Sequence, residues 1–122
     1  MKIHPYLHPD GWKPDGELVQ EVIDIARELS LPLLIHTGNE SYCYASRFEE
    51  LYQQHPDIRF ILAHGRPNNE AICLAKQYDN VFVDSAFMPI HEMKMFIDND
   101  ISHKLLWGTD MCIPKHFYPD VD

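Results

Sequence analysis

Short apolar runs alternate along this chain with segments in which apolar residues recur every three or four positions. The first pattern is typical of buried strands, and the second is typical of helices that bury one face. The predicted strands cover residues 2–4, 31–35, 58–63, 81–83 and 104–107, and the predicted helices cover residues 15–29, 44–54, 69–78 and 90–98. Successive strands begin roughly 23 to 29 residues apart. Repeats of that size are βα units, so the sequence predicts an α/β fold with a parallel sheet covered by helices.

The same spacing predicts which helix residues face the sheet. Asp15 is the predicted N-cap of the first helix. The predicted buried stripe of that helix consists of Leu18, Val22, Ile23, Ala26 and Leu29. The predicted buried faces of the second and fourth helices consist of Phe48, Leu51 and Tyr52, and of Ile90, Met93 and Ile97. The tail after Asp110 has no helical stripe and is predicted to be a loop.

Length and charge narrow the class of protein. The chain has 122 residues and no internal linker, so residues 1–122 are predicted to form a single domain. Its net charge of −9 argues against nucleic acid and anionic membranes as partners, because both attract basic surfaces. No apolar run approaches the roughly 20 residues that span a bilayer, and no signal peptide is evident. Three widely spaced cysteines fit reduced thiols, so we expect a cytoplasmic location.

A histidine or an aspartate follows each of four predicted strands, at His36, His64, Asp84 and Asp110. The carboxyl ends of parallel strands share one edge of a sheet, and in a closed βα barrel they converge on the mouth where active sites lie. The five glycines form no phosphate-binding loop, which favours the barrel over an open nucleotide-binding sheet. Two imidazoles and one carboxylate on separate strands suit a divalent metal ion that activates water for hydrolysis.

The order of these segments carries a family resemblance. The strings KIHP, ELSLPLLIHTG, HPDIRFILAHG, YDNVFVDSA and HKLLWGTDM together resemble the metal-dependent amidohydrolase superfamily over about residues 2–114. The resemblance is strongest to the branch that contains decarboxylases of the carboxymuconate-semialdehyde type. It implies a partial eight-stranded (TIM) barrel that comprises strands four to eight.

The resemblance also implies roles for individual residues. His36 and Asp110 match metal ligands, and His64 matches a histidine that binds metal or substrate. Asp110 also matches the general base that acts on the attacking water. Lys2 and His4 match a segment of the fourth barrel strand and are candidate substrate-binding residues.

Two other polar residues that follow the strands each have two candidate roles. Arg66 could bind a substrate carboxylate through two parallel hydrogen bonds, or it could pair with one of the many acidic side chains. The position of Asp84 is usually not a metal ligand in the family, so we expect it to support the site or to begin a helix.

These features predict a metal-dependent hydrolase that acts on a small amide, ester or lactone, with zinc as the expected ion. The runner-up is a non-oxidative decarboxylase of the same superfamily. The family's first strand supplies an H-x-H metal-binding pair that has no counterpart here, so a half-barrel without catalytic activity is a third possibility. Half a barrel leaves two sheet edges unpaired. We therefore expect a homo-oligomer or a second chain that supplies the missing strands.

Overall fold

Five parallel strands form one sheet in a computed structural model that describes residues 1–110. The strands are β1 (Lys2–Ile3), β2 (Leu33–His36), β3 (Phe60–Ala63), β4 (Val81–Asp84) and β5 (Leu105–Leu106), and they lie side by side in chain order. A doubly wound sheet reverses its strand order at a switch point, whereas a βα barrel does not. The predicted α/β fold with parallel units of a partial barrel is therefore confirmed. The predicted loop after Asp110 lies outside the described residues.

Four helices connect the strands. They are α1 (Glu17–Glu28), α2 (Glu49–Gln54), α3 (Asn68–Gln77) and α4 (Ile90–Asp98). The second helix is shorter than predicted, because 3-10 turns at Ser41–Cys43 and Ala45–Phe48 precede it. Phe48, Leu51 and Tyr52 are buried as predicted. Within residues 1–110, no helix is both long enough and apolar enough to cross a bilayer.

The prediction for the start and the buried face of α1 was partly wrong. Gly16, rather than Asp15, is the N-cap, and no side chain caps this helix. The helix buries Val19, Ile23 and Ala26, which recur at steps of four and three on one face. Two residues of the predicted stripe are exposed, Leu18 beside that face and Leu29 beyond the end of the helix.

The predicted buried face of α4 was also partly wrong. Phe96 is fully buried and Met93 packs against the core, whereas Ile90 and Ile97 are 81% and 64% exposed. The large aromatic ring of Phe96 removes more apolar area from water than an isoleucine side chain does, and its burial fixes the rotation of the helix. Ile90 and Ile97 consequently point away from the sheet.

The two faces of the sheet have different surroundings. One face packs beneath the helices and is fully buried, through Ile3, Leu33, Ile35, Phe60, Leu62, Val81 and Val83. On the other face, the strand register places Lys2, Leu34, Ile61 and Phe82 in one row across four strands. Leu34, Ile61 and Phe82 are only half-buried. We call these three residues the open face, which corresponds to the inside of a barrel.

The flanks of the structure are also incompletely covered. Within residues 1–110, β1 and β5 each pair with one neighbour only. On α1, Leu18 and Ile25 are each 45% exposed and lie seven residues apart, as do Ile90 and Ile97 on α4. A spacing of seven places two residues on the same side of a helix. The central helices α2 and α3 carry no large exposed hydrophobic residue in the described part of the chain. The first and last helices therefore present apolar stripes at the two open sides of the partial barrel.

We predict that the chain self-associates at micromolar concentration and that replacing both Ile90 and Ile97 by Lys weakens this association. The substitutions remove exposed apolar area that association would bury, and they add like charges to the flank. Sedimentation velocity over a concentration series measures the effect. The matched control is Asn69→Lys with Cys73→Lys, which adds the same charge to the exposed side of α3. A monomeric wild type, or equal effects of both pairs, would contradict the prediction.

Candidate metal and catalytic site

The carboxyl ends of the strands bring the predicted site residues together. His36 is the last residue of β2, His64 follows β3, and Asp110 follows β5. All three line one cavity of about 570 Å³, together with His4 and Arg66. Sequential parallel pairing accounts for this convergence, since it places every strand end at the same edge.

Three of the residues that line this cavity, His4, His36 and His64, form a packed group of imidazoles. The rings of His4 and His36 are stacked, with centroids 3.9 Å apart and planes 13° apart. The rings of His36 and His64 meet edge to face, with centroids 4.9 Å apart. The Nδ1 atoms of His4 and His36 are buried and have no hydrogen-bond partner among the described residues. Buried nitrogen atoms of this kind normally have a partner, which can be a protein group, a water molecule or a metal ion.

The surroundings of His4 and His36 favour the neutral forms of these two imidazoles. Burial is the largest effect and lowers the pKa of His36 to about 3, with further contributions from the nearby charges of His4, His64, Lys2 and Arg66. Burial also lowers the pKa of His4, and the charge of Lys2 acts in the same direction. Both side chains are therefore uncharged near pH 7. A neutral imidazole retains the lone pair that a metal ion requires.

The orientation of His64 is fixed by one hydrogen bond. Its Nδ1 atom lies 3.1 Å from the carbonyl oxygen of Ala86. A carbonyl can only accept, so Nδ1 carries a proton and Nε2 is the ring nitrogen that remains available to another partner. The Nε2 atom is 3.9 Å from Oδ2 of Asp110. This arrangement, in which one ring nitrogen is tied to a carbonyl while the other is left free, is common for histidines that bind metals.

Unusual backbone conformations occur at the same edge. His64, Phe87 and Asp110, which follow three successive strands, have positive φ angles of 69°, 57° and 52°. Two further non-glycine residues with positive φ, Ser30 and Asp100, lie just beyond the ends of α1 and α4. Helix ends commonly adopt this conformation, but strand ends have no such general reason. Strained residues of this kind cluster at functional sites, where the surrounding structure holds them in place.

The remaining predicted residues are placed as follows. Arg66 lines the cavity, and its Nη2 atom donates to the carbonyl oxygen of Phe87 at 3.3 Å. Lys2 is exposed, in the same row as the open face, and is not among the residues that line the cavity. Asp84 is also absent from the lining, and its Oδ1 atom accepts a hydrogen bond from the backbone N–H of Ala86 at 2.6 Å. Asp84 therefore supports the loop after β4.

Sequence reasoning missed several residues of the cavity. The lining also includes Tyr6, Leu7, Thr37, Gly38, Asn39 and Glu40. All of them lie within a few residues of the ends of β1 and β2, so their position after a strand was the available signal. Phe87 also lines the cavity, whereas Trp12 lies in a separate apolar groove with Leu7 and Leu18.

Comparison with known proteins identifies the family. The family model described as amidohydrolase matches residues 1–121. This chain belongs to the amidohydrolase family. Among solved structures, it is similar to an uncharacterized TIM-barrel protein from Bordetella bronchiseptica, with a TM-score of 0.69 and 18% sequence identity. The match covers 88% of this chain and 43% of that protein, so the amidohydrolase chain spans less than half the length of this relative. No curated protein matches.

The residues of this amidohydrolase fit a divalent metal ion in the kind of donor they offer. His36 is neutral, Nε2 of His64 is not engaged by the Ala86 carbonyl, and Asp110 adds a carboxylate beside it. Within residues 1–110, no three His, Cys, Asp or Glu side chains lie close enough together to hold a metal ion. The described residues therefore provide suitable donors that are not assembled into a closed set of ligands.

We predict that Gly65→Ala destabilises the protein. Gly65 has a φ of 53°, and a Cβ atom there would collide with side-chain atoms of Val83 and Met88. The left-handed conformation costs about 1–2 kcal/mol for a residue with a Cβ, and overpacking adds about 1–3 kcal/mol. Urea denaturation measures the free energy of unfolding. The control is Gly11→Ala, whose Cβ would meet atoms only at 3.6 Å. Equal stabilities of the two variants would contradict the prediction.

Proposed function

We propose that this amidohydrolase chain forms part of a metal-dependent hydrolase that acts on a small amide, ester or lactone. The observation that carries the proposal is the convergence of His36, His64 and Asp110 on one cavity, from the ends of three different strands. Membership of the amidohydrolase family supports hydrolysis as the reaction class. The cavity volume of about 570 Å³ suits a small molecule.

In this proposal His36, His64 and Asp110 would hold one divalent ion once further strands bring these donors into a closed set of ligands. Zinc is the first candidate, because imidazole and carboxylate groups are among its usual ligands. A bound zinc ion supplies Lewis acidity, which polarises a substrate carbonyl and lowers the pKa of water to about 7.

The chain's own residues then have distinct tasks. The Asp110 carboxylate lies at the cavity and accepts the proton of the attacking water. The ring of His64 is held by the Ala86 carbonyl, so Nε2 stays directed toward Asp110. Lys2 and His4 are proposed to contact the substrate, although Lys2 would have to reach the cavity from the adjoining row of the sheet.

Decarboxylation of a carboxylic acid is the second candidate, and Arg66 is the observation that favours it. Its guanidinium group lies at the cavity and makes one long hydrogen bond, to Phe87. Such a group can bind a carboxylate through two parallel hydrogen bonds. Tyr6 and Phe87 add aromatic walls. Decarboxylation requires a carboxylate on the substrate, whereas hydrolysis of an amide, ester or lactone does not, and the product distinguishes the two reactions.

Completion of the site depends on further residues. A structural zinc or catalytic zinc site usually has four ligands, and catalytic sites leave one position to water or substrate. We propose that additional strands, from a second copy of this chain or from another polypeptide segment, pair with the open edges of β1 and β5. In a closed barrel the ends of the added strands would meet at the same cavity.

We predict that the chain binds about one zinc ion and that His36→Ala or His64→Ala weakens binding. Loss of a ligand should cost more than the roughly 10–100-fold that loss of an outer hydrogen-bond partner costs. Competition with a chromophoric chelator measures the affinity. His91→Ala is the control, because His91 is exposed on α4. Zinc binding that is unaffected by both substitutions, or no binding by the wild type, would contradict the assignment.

We predict that Asp110→Asn lowers kcat/KM by about 10²–10⁴-fold, which is the usual contribution of a general base. The assay is a panel of esters, lactones, amides and aromatic carboxylic acids, with the full chain and added zinc. Detection of acid release and of carbon dioxide separates hydrolysis from decarboxylation. Asp98→Asn, which alters an exposed carboxylate at the end of α4, is the control. Full activity of Asp110→Asn would exclude this mechanism, and no turnover of any substrate would favour a half-barrel without catalytic activity.

A further inference from the structure

Thr37 occupies a buried position between the two predicted metal-binding histidines. It follows His36 at the end of β2, and its side chain is 1% exposed. The Thr37 hydroxyl donates a hydrogen bond to the carbonyl oxygen of Ala63 at 2.7 Å. The same hydroxyl oxygen accepts a hydrogen bond from the backbone N–H of Arg66 at 2.8 Å. One side chain thus bridges the first and last residues of the segment from 63 to 66.

The bridged segment is the turn that carries His64, and its backbone is strained. His64 and Gly65 have consecutive positive φ angles of 69° and 53°. Within the turn, the hydrogen bond from Gly65 N–H to the Leu62 carbonyl is long, at 3.4 Å. The two hydrogen bonds of the Thr37 hydroxyl are shorter. A left-handed histidine persists only where its surroundings hold it, and Thr37 supplies two of the contacts that do so.

We propose that Thr37 is a positioning residue, whose hydroxyl holds the turn with His64 and Arg66 in a fixed place against His36. It acts through these neighbours and has no catalytic role of its own. Its link to metal binding rests on the function proposed above, whereas its link to the turn stands on the hydrogen bonds alone. Outer hydrogen-bond partners of this kind orient the groups that bind metals and substrates.

Two substitutions separate the hydroxyl from the packing of the side chain. Thr37→Val keeps the shape and removes the hydroxyl, which leaves the Arg66 N–H without its acceptor. Thr37→Ser keeps the hydroxyl and removes the methyl group. A purely structural role in packing would make Ser the more damaging change, whereas the positioning role makes Val the more damaging one.

Amide hydrogen exchange tests the hydrogen bond directly. The Arg66 amide is compared with the Leu33 amide, which donates to the Arg59 carbonyl in the sheet, so that global destabilisation cancels in the ratio. In Thr37→Val we expect Arg66 to exchange at least tenfold faster relative to Leu33, while Thr37→Ser stays within threefold of wild type. An unchanged ratio in Thr37→Val would overturn the proposal.

Two further measurements test whether the turn positions the site. Zinc affinity should fall about 10–100-fold in Thr37→Val and stay near the wild-type value in Thr37→Ser. The nuclear Overhauser effects between the rings of His36 and His64 should weaken in Thr37→Val only. Faster exchange of Arg66 with unchanged zinc affinity and unchanged ring contacts would show that the hydroxyl does not position the site. If the wild type binds no zinc, the proposed function fails, and the ring contacts alone decide the role of Thr37.

Discussion

Parallel pairing of the strands in chain order is the constraint on which the rest of the structure depends. It places every carboxyl end at one edge, so residues separated by many positions in the sequence line a single cavity. It also assigns alternate residues of each strand to opposite faces. Ile35 consequently packs beneath the helices, whereas its neighbour His36 reaches the cavity. The core and the site therefore depend on the same strand register. If a strand shifted by one residue, its core side chains would move to the opposite face of the sheet and its site side chains would move into the core.

The site combines rigid strands with strained connections. His36 belongs to a strand, but His64, Phe87 and Asp110 leave their strands with positive φ angles. Such conformations cost free energy, which the packing and hydrogen bonds of the surrounding loops offset. In this protein those bonds come from small polar groups and backbone carbonyls, such as the Thr37 hydroxyl and the Ala86 carbonyl. The outcome is a set of side chains held at fixed positions around the cavity.

Side chains at the cavity and on the outer helices differ in their burial. At the cavity, burial keeps His4 and His36 uncharged, because a dry environment disfavours the imidazolium ion. On the outer helices, Ile90 and Ile97 of α4, and Leu18 and Ile25 of α1, remain in contact with water. Both features follow from a barrel wall of only five strands. Such a wall buries some side chains at the strand ends but leaves the first and last helices uncovered. Closing the sheet would cover the flanks and would bring further donors to the imidazoles.

The sequence by itself determined the βα order, the approximate positions of the strands, and the polar residues His36, His64 and Asp110 that lie at or after the strand ends. These are local patterns, because an apolar run and the polar residue after it lie in one short segment. Tertiary structure decided which helix residues are buried, since Phe96 outcompetes Ile90 and Ile97 for the core through its larger apolar area. It also decided the stacking of His4 on His36 and the bridge made by Thr37. These contacts join separate strands, so no spacing within one segment of the sequence encodes them.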